Sequence, residues 1–282
     1  VGLSVDANGN LFSLSNSTTT TRLMTSDVRQ ALFVVNSTSA VGEFKGTLDD
    51  VNGDIVSDSV TALSFSKAGD ILYAILRNTD EGQDRIVTIS MTDGQVSEIG
   101  TSSSIIQVNQ ANTHIVALET SPTGNLLAYD DSLSTGRRVI QINLEDTETS
   151  LQVTTPSTDI NDVMGFAVDA NGRYFSFNDT ATETRLYSSL NSFVAQALFN
   201  GGLGAAFDDI ADLTINAAGQ IYAIRSEAGG QTSLLYKVNI DSDSGTITSF
   251  DLINQVSDTN GNLIVNITAV DADPESELLY AI

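Results

Sequence analysis

Short apolar strands that flank a tight turn recur six times along the 282-residue chain. After the turn, each copy continues as an apolar, aromatic and small-residue segment, as in residues 64–75 and 214–224. The six copies are residues 4–14, 64–75, 118–129, 167–177, 214–224 and 270–282. A strand, a turn and a second strand predict a β-hairpin, and a second strand that is apolar on both faces predicts a buried inner strand.

Glycine marks the turn in five of the six copies, and residues 274–276 replace it in the last. The five residues are Gly9, Gly69, Gly124, Gly172 and Gly219. Two of the turns read Asn-Gly, the pair that favours positive φ at both central positions. These two turns are therefore predicted to be of type I′.

A second, outer hairpin follows most copies, as in residues 85–99 and 234–250. The repeating unit then has four strands in roughly 45–60 residues, a period typical of propeller blades. No stretch has a sustained helical period. The pattern predicts an all-β protein, a β-propeller of six four-stranded blades.

The chain also contains a longer duplication, which spans several of these repeats. Residues 4–13 match residues 167–176, and the sequence Gln-Ala-Leu-Phe occurs at both 30–33 and 196–199. We interpret the chain as one propeller, residues 1–282, made of a doubled three-blade block, with halves 1–162 and 163–282.

The last predicted blade is incomplete, because the sequence given stops after its inner hairpin. Six inner hairpins and only five outer ones are present. An open strand edge of this kind invites pairing. We expect residues outside the 282 or a neighbouring chain to complete the blade.

The repeats resemble those of bacterial extracellular β-propeller proteins marked by the pattern G-x-L-Y-A-I, followed by L-Y-x-I/V-N. The matching segments are residues 69–75, 219–224 and 235–239. The resemblance implies a propeller and an extracellular or cell-surface location. It leaves function open, because such repeats occur in enzymes, adhesins and structural surface proteins.

Charge narrows the choice of partners. Thirty-six acidic residues against 12 basic ones give a net charge of −24, which disfavours nucleic acid and anionic lipid surfaces. No apolar run is long enough to insert into a membrane. The chain contains no cysteine, so disulfides and thiol chemistry are excluded. Calcium ions and other soluble cations fit the acidic surface better.

Acidic residues near the ends of the predicted inner strands are candidate Ca²⁺ ligands in the central channel, since Ca²⁺ takes six to eight oxygen ligands. They are Asp6, Glu119, Asp169 and Asp271. The alternative is a local role, in which these side chains bond the backbone of the turns. Loop residues with alternating oxygens form a second candidate group: Asp50, Asn52, Asp54, Asp241 and Asp243.

No catalytic residue can be assigned from the sequence. His114 is the only histidine, and the nucleophile motif Gly-x-Ser-x-Gly is absent. A structural role for His114 is favoured, because a lone titratable group says little about catalysis.

These observations favour a non-catalytic extracellular scaffold or adhesion module. Its partner would be a second copy, a larger parent chain or a carbohydrate, within a filament, matrix or surface layer. One alternative is a Ca²⁺-dependent, lactonase-like propeller hydrolase with its metal in the channel. Another is a carbohydrate- or protein-binding module, for which Phe44, Phe193 and Phe207 are the aromatic candidates.

Overall fold

The structure of the chain is a computed structural model. It describes residues 3–5, 11–17, 20–25, 30–54, 56, 58–78, 82–99, 105–108, 111–132, 137–145, 147, 150–154, 163–180, 183–190, 196–197, 210–216, 218–226, 232–240, 247–274, 276 and 278–282.

Twenty-six strands make up the regular structure of these residues. The strands are β1 (Leu3–Val5), β2 (Leu11–Ser17), β3 (Thr20–Thr25), β4 (Ala31–Asn36), β5 (Val41–Thr47), β6 (Ser59–Phe65), β7 (Leu72–Asn78), β8 (Gln83–Ile89), β9 (Val96–Glu98), β10 (Gln107–Val108), β11 (Ala111–Asn112), β12 (Ile115–Thr120), β13 (Leu126–Asp130), β14 (Arg138–Gln141), β15 (Leu151–Thr154), β16 (Val163–Val168), β17 (Arg173–Thr180), β18 (Glu183–Leu190), β19 (Gln196–Ala197), β20 (Ile210–Ile215), β21 (Ile221–Ser226), β22 (Ser233–Ile240), β23 (Ile247–Gln255), β24 (Ser257–Asp258), β25 (Val270–Ala272) and β26 (Leu278–Ala281).

Four of the sheets are the predicted four-stranded blades. They are β6–β9, β12–β15, β16–β19 and β20–β23, and in each the strands follow chain order and pair antiparallel. The first strand of each blade, and not the second as the pattern predicts, is the inner one, and it packs against the first strand of the next blade. The repeat therefore predicts the blade correctly.

A fifth sheet is assembled from both parts of the chain, in the order β24-β5-β4-β26-β25. We call it the closing sheet. Strand β26 pairs antiparallel with β4, with Leu279 opposite Val35 and Tyr280 opposite Val34. Residues 31–47 thus supply the outer strands that the last repeat lacks. The expectation that another chain or residues outside the 282 would do so is wrong.

The inner strands form a ring. Strand β25 of the closing sheet contacts both β20 and β6, while β6, β12, β16 and β20 contact one another in succession. Five apolar clusters of the described residues lie between the sheets, and two of them flank the closing sheet. These contacts join the sheets around a central channel, which is a propeller arrangement.

The predicted number of six four-stranded blades is wrong: the described residues form four, together with the closing sheet. The sequence shows how many inner hairpins exist but not which ones are neighbours. Strands β25 and β6 meet directly, so β1 does not separate them. Strands β1, β2 and β3 form a three-stranded sheet of their own.

The duplication stays a prediction, because β1-β2-β3 and β16-β17-β18 pair in the consecutive order that every four-stranded blade has. Division of the chain at residue 162 stays a prediction. No helix among the described residues is long and apolar enough to cross a membrane.

The hairpin turn at Asn171-Gly172 is not of type I′. Of these two residues only Gly172 has a positive φ, 76°. The nitrogen of Gly172 bonds the oxygen of Asp169, and the nitrogen of Asp169 bonds the oxygen of Arg173. This pattern is a type I turn followed by a left-handed glycine. The turn forms because the Asp169 carboxylate accepts hydrogen bonds from the nitrogens of Asn171 and Arg173, at 2.9 and 2.8 Å. The corresponding turn at Asn8-Gly9 lies outside the described residues.

Candidate functional site

Polar side chains occupy one equivalent position in four of the inner strands, two residues before the residue that begins the turn. They are Ser64, Glu119, Thr214 and Asp271, and all four are buried. Because the inner strands stand side by side around one axis, equivalent positions lie at one level of the channel. The repeat thus gathers these groups from four different sheets.

Asp271 joins three inner strands through its carboxyl oxygens. Its Oδ2 accepts a hydrogen bond from the backbone nitrogen of Phe65 on β6, at 2.6 Å. Its Oδ1 accepts one from the Thr214 hydroxyl on β20, at 2.7 Å. Thr214 Oγ1 in turn accepts from the nitrogen of Ala272, at 2.9 Å. The side chains therefore satisfy backbone groups on the open edges of the inner strands.

Glu119 lies near Asp271 and has fewer hydrogen bonds. Its Oε1 accepts a bond from the backbone nitrogen of Thr120 at 3.1 Å, and the side chain is buried. Burial raises the pKa of Glu119 well above its usual range, and the negative charges of Asp271 and Asp212 raise it further. The surroundings therefore favour the protonated form of Glu119.

The two neighbouring carboxyl groups differ in proton affinity. Burial raises the pKa of Asp271 from 3.8 to about 6, against the lowering effect of its bonds from Thr214 and Phe65. The negative charge of Asp271 favours the proton on Glu119, so Asp271 releases its proton before Glu119 does. A neighbouring acid and base of this kind can exchange protons with a bound molecule.

Asp212 belongs to the same group, and the sequence analysis missed it. Its Oδ2 accepts a hydrogen bond from the nitrogen of Val270 at 3.0 Å, and its Oδ1 accepts from Leu213 at 2.8 Å. Burial raises its pKa well above the usual range. The available signal was one acidic residue in the apolar run of β20, where a charge needs a partner.

Gly165 makes room for Asp212. A Cβ on Gly165 would lie 2.7 Å from the nitrogen of Leu213 and 3.0 Å from Oδ1 of Asp212. Strands β16 and β20 can therefore approach this closely only without a side chain at position 165.

A cavity of about 320 Å³ opens at the turn end of the channel, and both Glu119 and Asp271 line it. Apolar side chains, including Val168 and Ile215, form part of its wall. Its volume is at the lower end of the range for small-molecule sites. A larger space of about 820 Å³ lies beside β8 and β9. Its Arg85 is already paired with Asp58 and Glu98.

Calcium binding by the channel carboxylates stays a prediction. Both oxygens of Asp271 and both oxygens of Asp212 already accept hydrogen bonds from protein groups. Ca²⁺ requires six to eight oxygen ligands. Within the described part of the chain, no group of three or more acidic or histidine side chains could hold a metal.

The remaining predicted channel ligands have different positions. Asp169 lies in its turn, where its carboxylate bonds the backbone, as the alternative interpretation proposed. Asp6 lies outside the described residues. The structure therefore brings Glu119 and Asp271 to one cavity and places Asp169 in a local role.

The loop candidates form a turn of the same kind. Asp50 Oδ1 accepts hydrogen bonds from the nitrogens of Asn52 and Asp54, at 2.8 and 2.9 Å. These backbone bonds lower the pKa of Asp50. Asp241 and Asp243 lie outside the described residues. Calcium binding by these loops stays a prediction.

His114 lies just before β12, at the opposite end of the strand from Glu119. Its Nε2 is 2.8 Å from Nη1 of Arg77, which donates here because a guanidinium has no acceptor. Arg77 also donates from Nε to Oδ1 of buried Asp84, at 2.8 Å. Asp84 in turn accepts from the nitrogen of Ile115 in the next blade. His114 thus lies beside an ion pair that connects two blades.

The aromatic candidates are only partly described. Phe44 on β5 is 55% exposed and makes an edge-to-face contact with Phe33, with ring centres 5.7 Å apart. Phe193 and Phe207 lie outside the described residues. A carbohydrate-binding surface stays a prediction.

No family model and no curated protein matches the chain. Among solved structures, it is similar to a protein described as a candidate gluconolactonase, with 14% identity, a TM-score of 0.47, and coverage of 91% of this chain and 89% of that chain. It is also similar to the PQQ-bound aldose sugar dehydrogenase of Streptomyces coelicolor, with 11% identity, a TM-score of 0.45, and coverage of 96% and 84%. A third similar structure is YCF48 bound to D1 peptide, with 10% identity, a TM-score of 0.37, and coverage of 88% and 62%.

Proposed function

We propose that the chain is a hydrolase that acts on a small ester or lactone in the channel cavity. The observation that carries this proposal is the pair of carboxyl groups, Glu119 and Asp271, which line one cavity and differ in proton affinity. Enzymes that break such bonds need a base to activate water and an acid to protonate the leaving oxygen.

In this proposal Asp271 is the base. Its carboxylate takes a proton from a water molecule as the water oxygen bonds to the carbonyl carbon of the substrate. Its oxygens already accept from Phe65 and Thr214, but a carboxylate has about four acceptor positions, so about two remain and water can use one of them. The same two bonds hold the carboxylate in place.

Glu119 is the acid. When the carbon–oxygen bond of the substrate breaks, the leaving oxygen takes the proton from Glu119 and becomes a hydroxyl group. The other product is a carboxylic acid. The proton on Asp271 then returns to Glu119 directly or through water, which restores the starting state. No metal takes part in these steps.

The scaffold hypothesis loses one of its supports. It relied in part on a blade that another molecule would complete, and β4 and β5 of the same chain complete the closing sheet instead. Self-assembly, a carbohydrate partner and an extracellular location remain predictions from the sequence.

The test measures hydrolysis of a panel of short esters and lactones by the purified chain in a pH-stat. Glu119→Gln and Asp271→Asn should each lower kcat/KM by about 100-fold or more. Asp50→Asn, which changes an exposed carboxylate in a loop, should leave it unchanged. Treatment with EDTA should also have no effect. Equal rates in all variants, no turnover of any substrate, or loss of activity in EDTA would contradict the proposal.

A further inference from the structure

One basic side chain, that of Lys67, is among the residues that line the channel cavity. In each inner hairpin one residue directly follows the residue that begins the turn, and these residues occupy equivalent places. At the described positions that line the cavity, these residues are Lys67, Pro122, Ala170 and Pro274. Three of the four are apolar, so Lys67 is the single charged residue of this set, which we call the rim.

Lys67 extends across the gap between two blades. Its Cδ lies 3.7 Å from the place where a Cβ on Gly124 would be, so its aliphatic stem runs along the turn of the next blade. Long basic side chains often lie against a surface in this way and keep the ammonium group in water. Lys67 is also among the residues that line the cavity.

Lys67 forms no ion pair with a carboxylate in the described part of the protein. Ion pairs in that part use Lys45, Arg77, Arg85, Arg137 and Arg138. Lys67 is not among them.

We propose that Lys67 makes the site selective for substrates that carry a carboxylate in addition to the ester or lactone group. This proposal rests on the proposed function. The carboxylate would lie at the rim beside Lys67, while the reacting group would reach Glu119 and Asp271 inside. Because the rest of the surface is strongly negative, the attraction is local and should weaken as salt screens it.

The test compares two esters with the same carbon skeleton, one with a free carboxylate and one with the neutral amide in its place. The quantity measured is the ratio of their kcat/KM values. Lys67→Met should lower this ratio by about 5-fold at low salt, the size expected for one exposed charge pair. Lys67→Arg should restore the ratio, and 0.5 M NaCl should shrink the difference between wild type and Lys67→Met.

Lys237→Met is the matched control, because Lys237 lies on β22 and does not line the cavity. It should leave the ratio unchanged. An equal ratio in wild type and Lys67→Met would overturn the assignment of Lys67, even if both esters are hydrolysed. If neither ester is hydrolysed, the proposed function fails. Calorimetry with the carboxylate-bearing ester and its amide then tests Lys67 alone, and equal affinities in wild type and Lys67→Met would overturn its role.

Discussion

The replacement Asp271→Asn separates the proton affinity of this residue from its shape. Asparagine has almost the same size and retains one oxygen that can accept a hydrogen bond, but it does not titrate. In the wild type, the carboxyl group accepts bonds from Phe65 and Thr214 and is 5% exposed. The variant should therefore fold and lose the pH dependence that Asp271 contributes to stability.

The size of that contribution follows from the pKa. Burial raises the pKa of Asp271 from 3.8 to about 6 in the folded chain. The folded state then holds a proton that the unfolded state has released, so the contribution to stability is complete below about pH 4 and is lost as the pH rises through about 6. At 1.36 kcal/mol per pKa unit, the change is about 3 kcal/mol.

The assay is urea unfolding at about pH 4, 5, 6 and 7, followed by circular dichroism. The decline in the free energy of unfolding from pH 4 to 7 should be smaller in Asp271→Asn than in the wild type by about 2 kcal/mol, because the unfolded carboxyl group is already partly ionised at pH 4. Asp50→Asn is the control: its lowered pKa affects stability only at lower pH, so the decline should match the wild type. If Asp271→Asn and the wild type show the same decline, Asp271 is not a buried carboxyl group with a raised pKa.

Three further predictions concern the closing sheet and the contacts between blades. Cysteines at positions 36 and 278, which replace the paired residues Asn36 and Leu278 of β4 and β26, should form a disulfide in this cysteine-free chain. Oxidation should then stabilise the chain by about 2–4 kcal/mol in urea unfolding, and no change would contradict the closing sheet. Gly165→Ala should cost about 1–3 kcal/mol by the same assay, since the new Cβ would overlap the next blade, and a cost below about 0.5 kcal/mol would contradict that contact. Arg77→Met should cost about 3–5 kcal/mol because it leaves the buried carboxylate of Asp84 without its positive partner. A cost below about 0.5 kcal/mol would mean that the ion pair is not buried.

Local patterns predict the hairpins and blades, because strand and turn residues act over a few positions. They do not predict the closure of the ring. Residues 31–36 have the same Ala-Leu-Phe beginning as residues 197–199, yet β4 pairs with β26 whereas β19 pairs with β18. The partner is chosen by contacts between distant parts of the chain, which the repeat does not encode.

The site is predictable to a similar extent. Glu119 and Asp271 can be placed in the channel because each lies near the end of an inner strand, and the structure brings both to one cavity. Asp169 is two residues closer to Gly172 than Glu119 is to Gly124, so its carboxylate bonds the turn instead. Asp212 was missed because it lies farther from the turn, where only packing against Gly165 shows its role.

The central claim is that Glu119 and Asp271 form a neighbouring acid and base in the channel. Carbon-13 NMR of the side-chain carboxyl groups across a pH titration tests it most directly and requires no substrate, with Glu119→Gln and Asp271→Asn used to assign the two signals. The account predicts that Asp271 titrates near pH 6 and that Glu119 still holds its proton well above its usual range. Titration of both groups near the usual value of about 4 would contradict the account.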